Sequence, residues 1–573
     1  MAQIRIPKDY EKKTMRSVHN RSCIRRTTMH PGLMIPIYSR RVMAGEKVFI
    51  DPVTVLQTNA LQAPLMGSFR LQLAVFFDSD SNYYGWMDNN ARLSTQEYLS
   101  LKRHRATFSK IMPADLNFES TYKSWTREMG VQPSSMLNYA GFPMMSTAVN
   151  NSDDQTTVID PQIDLGFFFT YLNIFRNYYC NNQEDTFPIV DKSVFSIEGQ
   201  AFPFTRHNLK LLDNLFRELR FQDDGYNFDN TPNASALPGM NWFKFSYFRS
   251  MWSSFGGLLP CTYQPDLLTN LLNVSNTVKS YVRITTSGAE QNTFTIDTLR
   301  FQNKLQRLID RLDVSGGRFS NWLRAVWGVR TRKDMDIPEL IGVTQKLIDP
   351  TEIVTKSNSG VIGSVDERFV GDLAGNFNKT DGHRGHSFYA SSPGRVMVIV
   401  TLVPNVDYVQ GLDYEISKVD FADDYVPEFS QLGFQSVPLS RYSFLPSFTG
   451  AGTGPDFDPI IQADMLDPLT TSVGKQVAWL EEMTDVNRNF GEFDWNGFYN
   501  YWVLNRRFSL LGQHSSGLNS VQFQPVITQY INPLEYQYPF VMQTIADPNW
   551  FLQVGLRIKA VRPIGKRYMP NLE

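Results

Sequence analysis

The residues of this sequence best suited to metal chemistry are a histidine pair in the segment DGHRGHSF. Asp381, His383 and His386 lie close together, and imidazole and carboxylate groups are common zinc ligands. A catalytic zinc site needs a further carboxylate or imidazole, which the segment lacks, and Gly382 and Gly385 favour a turn. The segment therefore predicts a polar turn, and we expect neither a metal site nor a cofactor.

A glycine cluster, Gly450, Gly452 and Gly454, is the nearest approach to a phosphate-binding loop. No Lys-Ser or Lys-Thr pair follows it, and Pro455 interrupts the position where a phosphate-binding helix would begin. The cluster therefore predicts a loop at the surface.

Two pairs of adjacent acidic residues, Asp423–Asp424 and Glu481–Glu482, could supply the carboxylates of a glycosidase. Such carboxylates normally come from separate strands and lie about 5 to 9 Å apart, whereas adjacent side chains point apart on most backbones. Solvated charge is the simpler interpretation. The motif G-x-S-x-G is also absent. The sequence names no catalytic residue, and we do not expect an enzyme.

Basic residues are concentrated between Ile4 and Arg26, where few large apolar side chains could be buried. The candidate DNA-binding residues in this basic arm are Lys8, Lys12, Lys13, Arg16, Arg21, Arg25 and Arg26. Cations along a flexible segment can neutralise phosphates in many geometries, because counterion release depends on proximity rather than on base sequence. The alternative is a disordered solubilising tail.

The bulk composition limits the other partners. Lys and Arg number 55 and Asp and Glu 57, a net charge of -2, which argues against a nucleic-acid or membrane coat over the whole surface. Cys23, Cys180 and Cys261 are widely spaced and predict no disulfide framework. The sequence has no apolar signal segment and no run of roughly 18 apolar residues. We therefore expect synthesis in a cytoplasm, without secretion or membrane anchoring.

Strand patterns dominate both ends of the chain, and helical patterns its middle. FRLQLAVFF at 69–77 alternates as a half-buried strand, RVMVIVTLVP at 395–404 suits a buried strand, and FLQVGLRIKAVRP at 551–563 alternates over its first half. Apolar residues recur at helical spacing in 165–182 and in 295–328. The pattern predicts a mainly β body with a helix- and loop-rich middle.

Two stretches rich in Gly, Pro, Asp and Asn, 220–241 and 446–459, predict surface excursions. Their candidate surface or receptor-binding residues are Asp223, Asp224, Tyr226, Gly450, Gly452 and Gly454.

Several blocks, in order along nearly the whole chain, resemble the major capsid proteins of microviruses, the gokushovirus-like and related groups in particular. The residues that carry the resemblance are Leu33, Pro36, Ile37, Tyr38, Gly45 and Glu46; Tyr171, Ile174, Phe175, Tyr178 and Tyr179; Leu259, Pro260, Tyr263, Pro265 and Asp266; and Leu299, Leu305, Gly316, Gly317, Arg318 and Phe319. Cys180 stands where the family commonly has Arg, so no role of that Arg carries over.

The resemblance implies a viral eight-stranded antiparallel jelly roll with long helix- and loop-containing insertions. It implies a T=1 icosahedral shell of sixty copies around a circular single-stranded DNA genome. Minor capsid, DNA-pilot or scaffolding proteins and a host-surface receptor are the further partners, and the virion, assembled in the host cytoplasm, is the expected location.

On this interpretation residues 1–30 are an internal basic arm, and residues 31–573 are one jelly-roll body with insertions at roughly 90–360 and 440–475. Two other function classes stay open. A carbohydrate-binding or carbohydrate-active β-sandwich is suggested by the aromatic content and the acidic pairs, and a cellular β-rich scaffold without nucleic acid is the third.

Overall fold

The structure is a computed structural model of the 573-residue chain. It describes residues 16–62, 64–89, 97, 100–107, 134–141, 162–179, 186–190, 204–221, 227–229, 258–259, 323, 327–329, 337–348, 378–382, 385–418, 424–427, 434–441, 448–451, 472–493, 499–506, 510–514, 520–525, 536, 538–541 and 548–564.

Strands make up most of the regular structure in these residues. They are β1 (Ser17–Asn20), β2 (Cys23–Met29), β3 (Ile35–Val42), β4 (Lys47–Thr58), β5 (Phe69–Ser79), β6 (Arg105–Thr107), β7 (Gln162–Asp164), β8 (Thr186–Val190), β9 (Phe204–Asn208), β10 (Asn227–Asp229), β11 (Glu339–Ile348), β12 (Asn378–Gly382), β13 (His386–Tyr389), β14 (Gly394–Pro404), β15 (Phe434–Pro438), β16 (Phe448–Ala451), β17 (Ser472–Val477), β18 (Leu510–His514), β19 (Ser520–Pro525) and β20 (Trp550–Arg562). The expectation of a mainly β protein is confirmed.

The helices are short. The α-helices are α1 (Gly85–Asp88), α2 (Met136–Ala140), α3 (Gly166–Ile174), α4 (Leu209–Phe221), α5 (Tyr414–Ser417) and α6 (Leu480–Met483). Single 3-10 turns cover Asp80–Asn82, Leu439–Arg441, Gly491–Phe493 and Asn500–Trp502, and a π-helical turn covers Phe175–Tyr179. Within the part of the chain that the structure describes, no helix is long and apolar enough to span a membrane.

Two antiparallel sheets form the body. In the six-stranded sheet β20 pairs with β4 on one side and with both β1 and β2 on the other, and β4 also pairs with β12 and β13. The four-stranded sheet has the order β11-β5-β14-β3. Smaller sheets join β10-β6-β7, β8-β9, β15-β17 and β16-β19-β18.

The order of the strands follows a simple rule. Because β1 and β2 border the same neighbour, as do β12 and β13, the two large sheets hold eight strand positions along the chain. In chain order, the first position is shared by β1 and β2, and the second to fifth are β3, β4, β5 and β11. The sixth is shared by β12 and β13, and the seventh and eighth are β14 and β20. The six-stranded sheet then has the order 1-8-3-6 and the four-stranded sheet 2-7-4-5. Consecutive positions lie in opposite sheets except for the fourth and fifth.

This topology differs from the predicted insertion boundaries. β11 lies inside the stretch 90–360 and yet pairs with β5 from Glu339 to Ile348. Its sequence ELIGVTQKLI has no regular polar alternation, because a bulge between Leu340 and Gly342 breaks the two-residue period. The second interval between body strands runs from the end of β14 to the start of β20 and is longer than 440–475.

The core lies between the inner faces of the two large sheets. Alternate residues of β20, from Trp550 to Ala560, are buried, as are alternate residues of β4 from Val48 to Thr58. The Phe69 ring of the opposite sheet lies 4.6 Å from the Trp550 ring, measured between centroids. Each large apolar side chain buried in this way contributes about 1.5 to 3 kcal/mol.

α3 and its π-helical turn cover part of the outer face of the four-stranded sheet. The sequence predicted this helix and one apolar face, but every residue from Phe167 to Phe175 is buried, including Thr170 and Asn173. Tyr178 packs its ring 5.0 Å from the ring of Phe76 in β5. The helix is therefore part of the core. The other predicted helical stretch, 295–328, with a stop expected at Gly316–Gly317 and a short helix after it, lies almost entirely outside the described residues.

A buried polar cluster fastens α3 to the end of β5. The Asp78 carboxylate accepts hydrogen bonds from Asn82 Nδ2, at 2.8 Å, and from the Tyr83 hydroxyl, which in turn accepts one from Asn173 Nδ2. Burial raises the pKa of Asp78 to about 7, an effect that the Tyr83 and Asn82 hydrogen bonds only partly offset. His104 Nε2 lies 2.9 Å from the Tyr83 carbonyl oxygen.

The buried His104 imidazole predicts acid destabilisation. Burial lowers its pKa to about 4, so between pH 6.5 and about 4 the unfolded chain binds a proton that the folded chain does not. Folding stability should therefore fall as the pH drops through this window, by about 2 kcal/mol by pH 5 for this residue alone. His104→Phe, which keeps a ring against Tyr84, should show a smaller fall between pH 6.5 and 5 in urea unfolding.

Asp78 supplies a control of opposite sign. Its raised pKa means that the folded chain binds the extra proton between pH 4 and 7, so this residue makes the protein more stable as the pH falls. Asp78→Asn should therefore make the acid loss of stability steeper than in the original chain. Equal slopes for the original chain and both variants would contradict this assignment.

Candidate nucleic-acid interface

The predicted basic arm overlaps two strands, because the first described strand begins at Ser17. Lys8, Lys12 and Lys13 lie outside the described residues. From Ser17 onward the chain forms β1 and β2, which pair with β20 as far as Met29. The predicted boundary at residue 30 and the flexible segment up to Arg26 therefore differ from the structure. The sequence of this segment is dominated by positive charge, so its strands were not predicted. They become evident only from their pairing with β20, which is distant in the sequence.

The four described cations of this segment have different surroundings. Arg16 is exposed and precedes β1, and Arg25 and Arg26 are exposed on β2. Arg26 Nε donates to Gln553 Oε1 on β20 at 2.7 Å. Arg21 lies between β1 and β2, where its side chain is mostly buried and pairs with Glu46. Arg21 therefore has a structural partner and is not available for phosphate.

Glu46 is the centre of a buried ion-pair cluster. Its side chain is 0% exposed, and its Oε1 lies 3.5 Å from Arg21 Nη1 and 3.1 Å from Arg562 Nε. The Met43 backbone N–H donates to its Oε2. Gly45 precedes it with φ +78°, and a Cβ there would meet Val329 at 2.6 Å, so the turn requires glycine. The cluster joins the two ends of the chain to the β3–β4 turn.

The outward-facing rows of the six-stranded sheet combine cations with aromatic rings. We call this surface the basic face; it consists of Arg26, Lys47, Phe49, Tyr389, Phe551, Arg557 and Lys559. Along β4 and β20 the outward-facing residues alternate with the residues buried in the core. The strand register that buries one set therefore exposes the other. Sequence reasoning missed all of these residues except Arg26.

Register fixes the neighbours within the basic face. Lys559 lies directly opposite Phe49, and Tyr389 directly opposite Lys47. Lys47 Nζ is 4.9 Å from the centre of the Phe49 ring, a cation–π contact. The acidic residue Asp51 lies on this face opposite Arg557, but the two charged groups are 3.9 Å apart and exposed. The face carries the cations Arg26, Lys47, Arg557 and Lys559 against this described carboxylate, so its net charge is positive.

One of the two acidic pairs of the sequence, Glu481–Glu482, lies in a second surface, which we call the acidic lobe; it comprises residues 411–418 and 479–493. Lys418 links the two segments of the lobe: its Nζ lies 2.8 Å from Glu482 Oε1 and 3.1 Å from Glu415 Oε1. Its hydrogen bond to Glu482 raises the pKa of Lys418. Arg441 lies 3.9 Å from Glu481. Glu481 and Glu482 thus both lie in ion pairs, whereas Asp423 of the other pair lies outside the described residues.

The surface of the acidic lobe is apolar and acidic. Phe490 is 76% exposed and Ile416 72%, and Met483 and Val486 are also more than half exposed. The cations of the lobe, such as Lys418, lie in ion pairs. Several large apolar groups exposed within two short segments commonly mark a protein interface.

The predicted excursion residues are only partly described. Asp223, Asp224 and Tyr226 lie outside the described residues, as do Gly452 and Gly454. Gly450 is part of β16 and is paired with Val521 of β19, not in a free loop.

The histidine segment does not bring metal ligands together in the described residues. Asp381 lies in β12, where it is paired in register with Thr54 of β4, and His383 lies outside the described part. His386 begins β13 and contacts β11, where its Nε2 lies 3.1 Å from Thr344 Oγ1. A Cβ at Gly342 would meet the His386 ring at 2.2 Å, so the glycine makes room for it. Across the described residues no group of three or more potential ligands could hold a metal ion.

Comparison with known proteins gives no family assignment. No protein-family model matches the chain, and no curated protein matches it.

The Glu46 cluster predicts a large loss of stability on neutralisation. Glu46→Gln leaves Arg21 and Arg562 largely buried without a countercharge, which should lower the unfolding free energy by roughly 3 to 5 kcal/mol. Urea or thermal unfolding would measure it. The control is Glu415→Gln, because Glu415 is 72% exposed in its ion pair and should change stability by less than about 1 kcal/mol. Similar losses in both variants would contradict a special role for Glu46.

Proposed function

We propose that this chain is the major capsid protein of a small icosahedral single-stranded DNA virus, and that its body is a viral jelly roll. The observation that carries the proposal is the strand order, 1-8-3-6 in one sheet and 2-7-4-5 in the other. The proposed shell has T=1 symmetry and sixty copies, as the sequence resemblance implies.

The strand order supports the jelly roll on geometric grounds. A jelly roll consists of eight antiparallel strands in two packed sheets and contains two Greek keys. In a Greek key, a long connection returns the last strand beside the first. Here the last strand, β20, lies beside β1 and β2, and β14 lies beside β3. Every pairing in the two large sheets is antiparallel.

The acidic lobe supports assembly. A closed shell requires heterologous contacts, in which different surfaces of two copies meet around each symmetry axis. Exposed aromatic and aliphatic groups such as Phe490 and Ile416 are typical of the centre of an interface. We assign the lobe to contacts between copies of this chain.

The first test of the proposal is electron microscopy of the purified full-length protein. Closed particles of sixty copies are the expected result, and a reconstruction would also read the strand order directly. A protein that stays monomeric or forms only small oligomers, under conditions that favour assembly and with single-stranded DNA supplied, would contradict it.

The acidic lobe predicts an assembly variant. Phe490→Glu places a charge in the proposed contact and should reduce the particle fraction at least tenfold, with an unchanged unfolding temperature, because the ring is exposed in the subunit. Phe490→Leu keeps an apolar group and should still form particles. Size-exclusion chromatography with light scattering would separate particles from subunits. Normal assembly of Phe490→Glu would contradict this role of the lobe.

Deletion of the first residues tests the arm. Removal of residues 2–15 takes away Lys8, Lys12 and Lys13 but no described strand, so particles should form with less packaged DNA. Removal through Arg26 also deletes β1 and most of β2, and the protein should lose stability. Absorbance of purified particles at 260 and 280 nm would measure the DNA. Unchanged DNA in the shorter deletion would assign residues 1–15 another role.

A further inference from the structure

We infer that the basic face is a binding surface for single-stranded nucleic acid, which it holds by stacking bases on exposed rings and by pairing phosphates with the flanking cations. The inference rests on the proposed function for its biological setting, since a shell around a single-stranded genome needs such a surface. The binding chemistry itself comes from the described residues.

The rings are available for stacking. Phe49 is 39% exposed, Phe551 37% and Tyr389 45%, and all three belong to strands whose alternate residues fill the core. Their backbones are therefore rigid, and the exposed part of each ring needs little ordering on binding. Stacking on such rings accepts any base, because every base has a flat π-face.

The cations lie where phosphates of a stacked strand would pass. Lys559 is directly across from Phe49, and Lys47 is in contact with the same ring. At the other end of the face, Arg26 is paired across the strands with Gln553, two residues from Phe551. Each ring thus has at least one cation nearby. This interleaving separates the basic face from an ordinary solvated charge cluster.

The dimensions suit a short stretch of single strand. Gln57 lies opposite Phe551 and eight residues from Phe49 along β4, which corresponds to about 27 Å. This length accommodates roughly four or more nucleotides, the lower end of the range for single-strand-binding sheets. A duplex has its bases stacked inside and cannot use the rings, so the face should prefer single strands.

The composition also limits other occupants. A copy of this chain is the alternative, because Val18 and Ile24 are exposed on the flanking strands. Both aliphatic groups lie on the edge strands β1 and β2, whereas β4, β13 and β20 carry the three rings and the cations Lys47, Arg557 and Lys559, with Asp51 as the described acidic residue. Anionic and planar groups match these three strands better than an apolar interface does.

The test uses unassembled full-length protein and fluorescein-labelled oligonucleotides, a 20-nucleotide oligo-dT and a 20-base-pair duplex. The double variant Phe49→Ala/Phe551→Ala should weaken oligo-dT binding tenfold or more, because two stacked bases are lost. It should leave duplex binding and the salt dependence unchanged. Lys47→Gln/Lys559→Gln should instead weaken both ligands and lower the slope of log K against log salt by about two.

Matched controls come from other surfaces. Arg70→Gln removes an exposed cation from the four-stranded sheet, and Phe490→Leu removes an exposed ring from the acidic lobe. Both should bind oligo-dT as the original chain does. If the aromatic double variant binds oligo-dT normally, or if it loses duplex binding equally, the inference is wrong. The lysine variants keep it testable should the aromatic variant fail to fold.

Particle formation separates this inference from the proposed function. Particles with unchanged oligo-dT binding by the face variants would overturn the face and leave the shell. Oligo-dT binding as expected, without any particles, would overturn the shell and leave the face. Loss of particles in Phe49→Ala/Phe551→Ala without a change in oligo-dT binding would assign the face to contact between copies.

Discussion

The pairing of β20 with β1 and β2 on one side and with β4 on the other is the constraint on which the body depends. β20 is the eighth strand position and lies between the first and the third, so the six-stranded sheet joins residues near 20 to residues near 560. Closing so long a loop costs chain entropy before any contact compensates it. The Glu46 cluster lies at this junction and adds charge pairs to Arg21 and Arg562, which come from the two ends.

The same pairing creates the basic face. Side chains alternate across a strand, so a register that directs Trp550, Leu552 and Ile558 into the core must direct Phe551 and Lys559 outward. A shift of one residue would exchange the two sets and bury cations. Packing of the core therefore also determines which side chains the basic face exposes. No separate interaction is needed to fix the geometry of the proposed nucleic-acid contact.

The sequence predicted the elements whose evidence is local. β5, β14, β20 and α3 each carry their apolar pattern within about ten residues, and the structure confirms them. β2 and β11 were missed, because charge in one and a bulge in the other disturb the alternation. The basic face could not be predicted, since it needs the relative register of β4, β13 and β20. For Arg21 the sequence showed the positive charge, which suggested DNA binding, but only the structure shows its ion pair with Glu46.

The two sheets differ in what lies on their outer faces. α3 and Tyr178, which belong to an insertion of the chain, cover the part of the four-stranded sheet around Phe76, while Arg70 of the same sheet stays exposed. The described outward residues of β4 and β20 include cations and exposed aromatic rings. Exposed aromatic rings are poorly stabilised by water alone. The outer face of the six-stranded sheet therefore differs from that of the four-stranded sheet in being basic and aromatic. A partner that is both anionic and flat, such as the nucleic acid proposed above, matches the chemistry of that face.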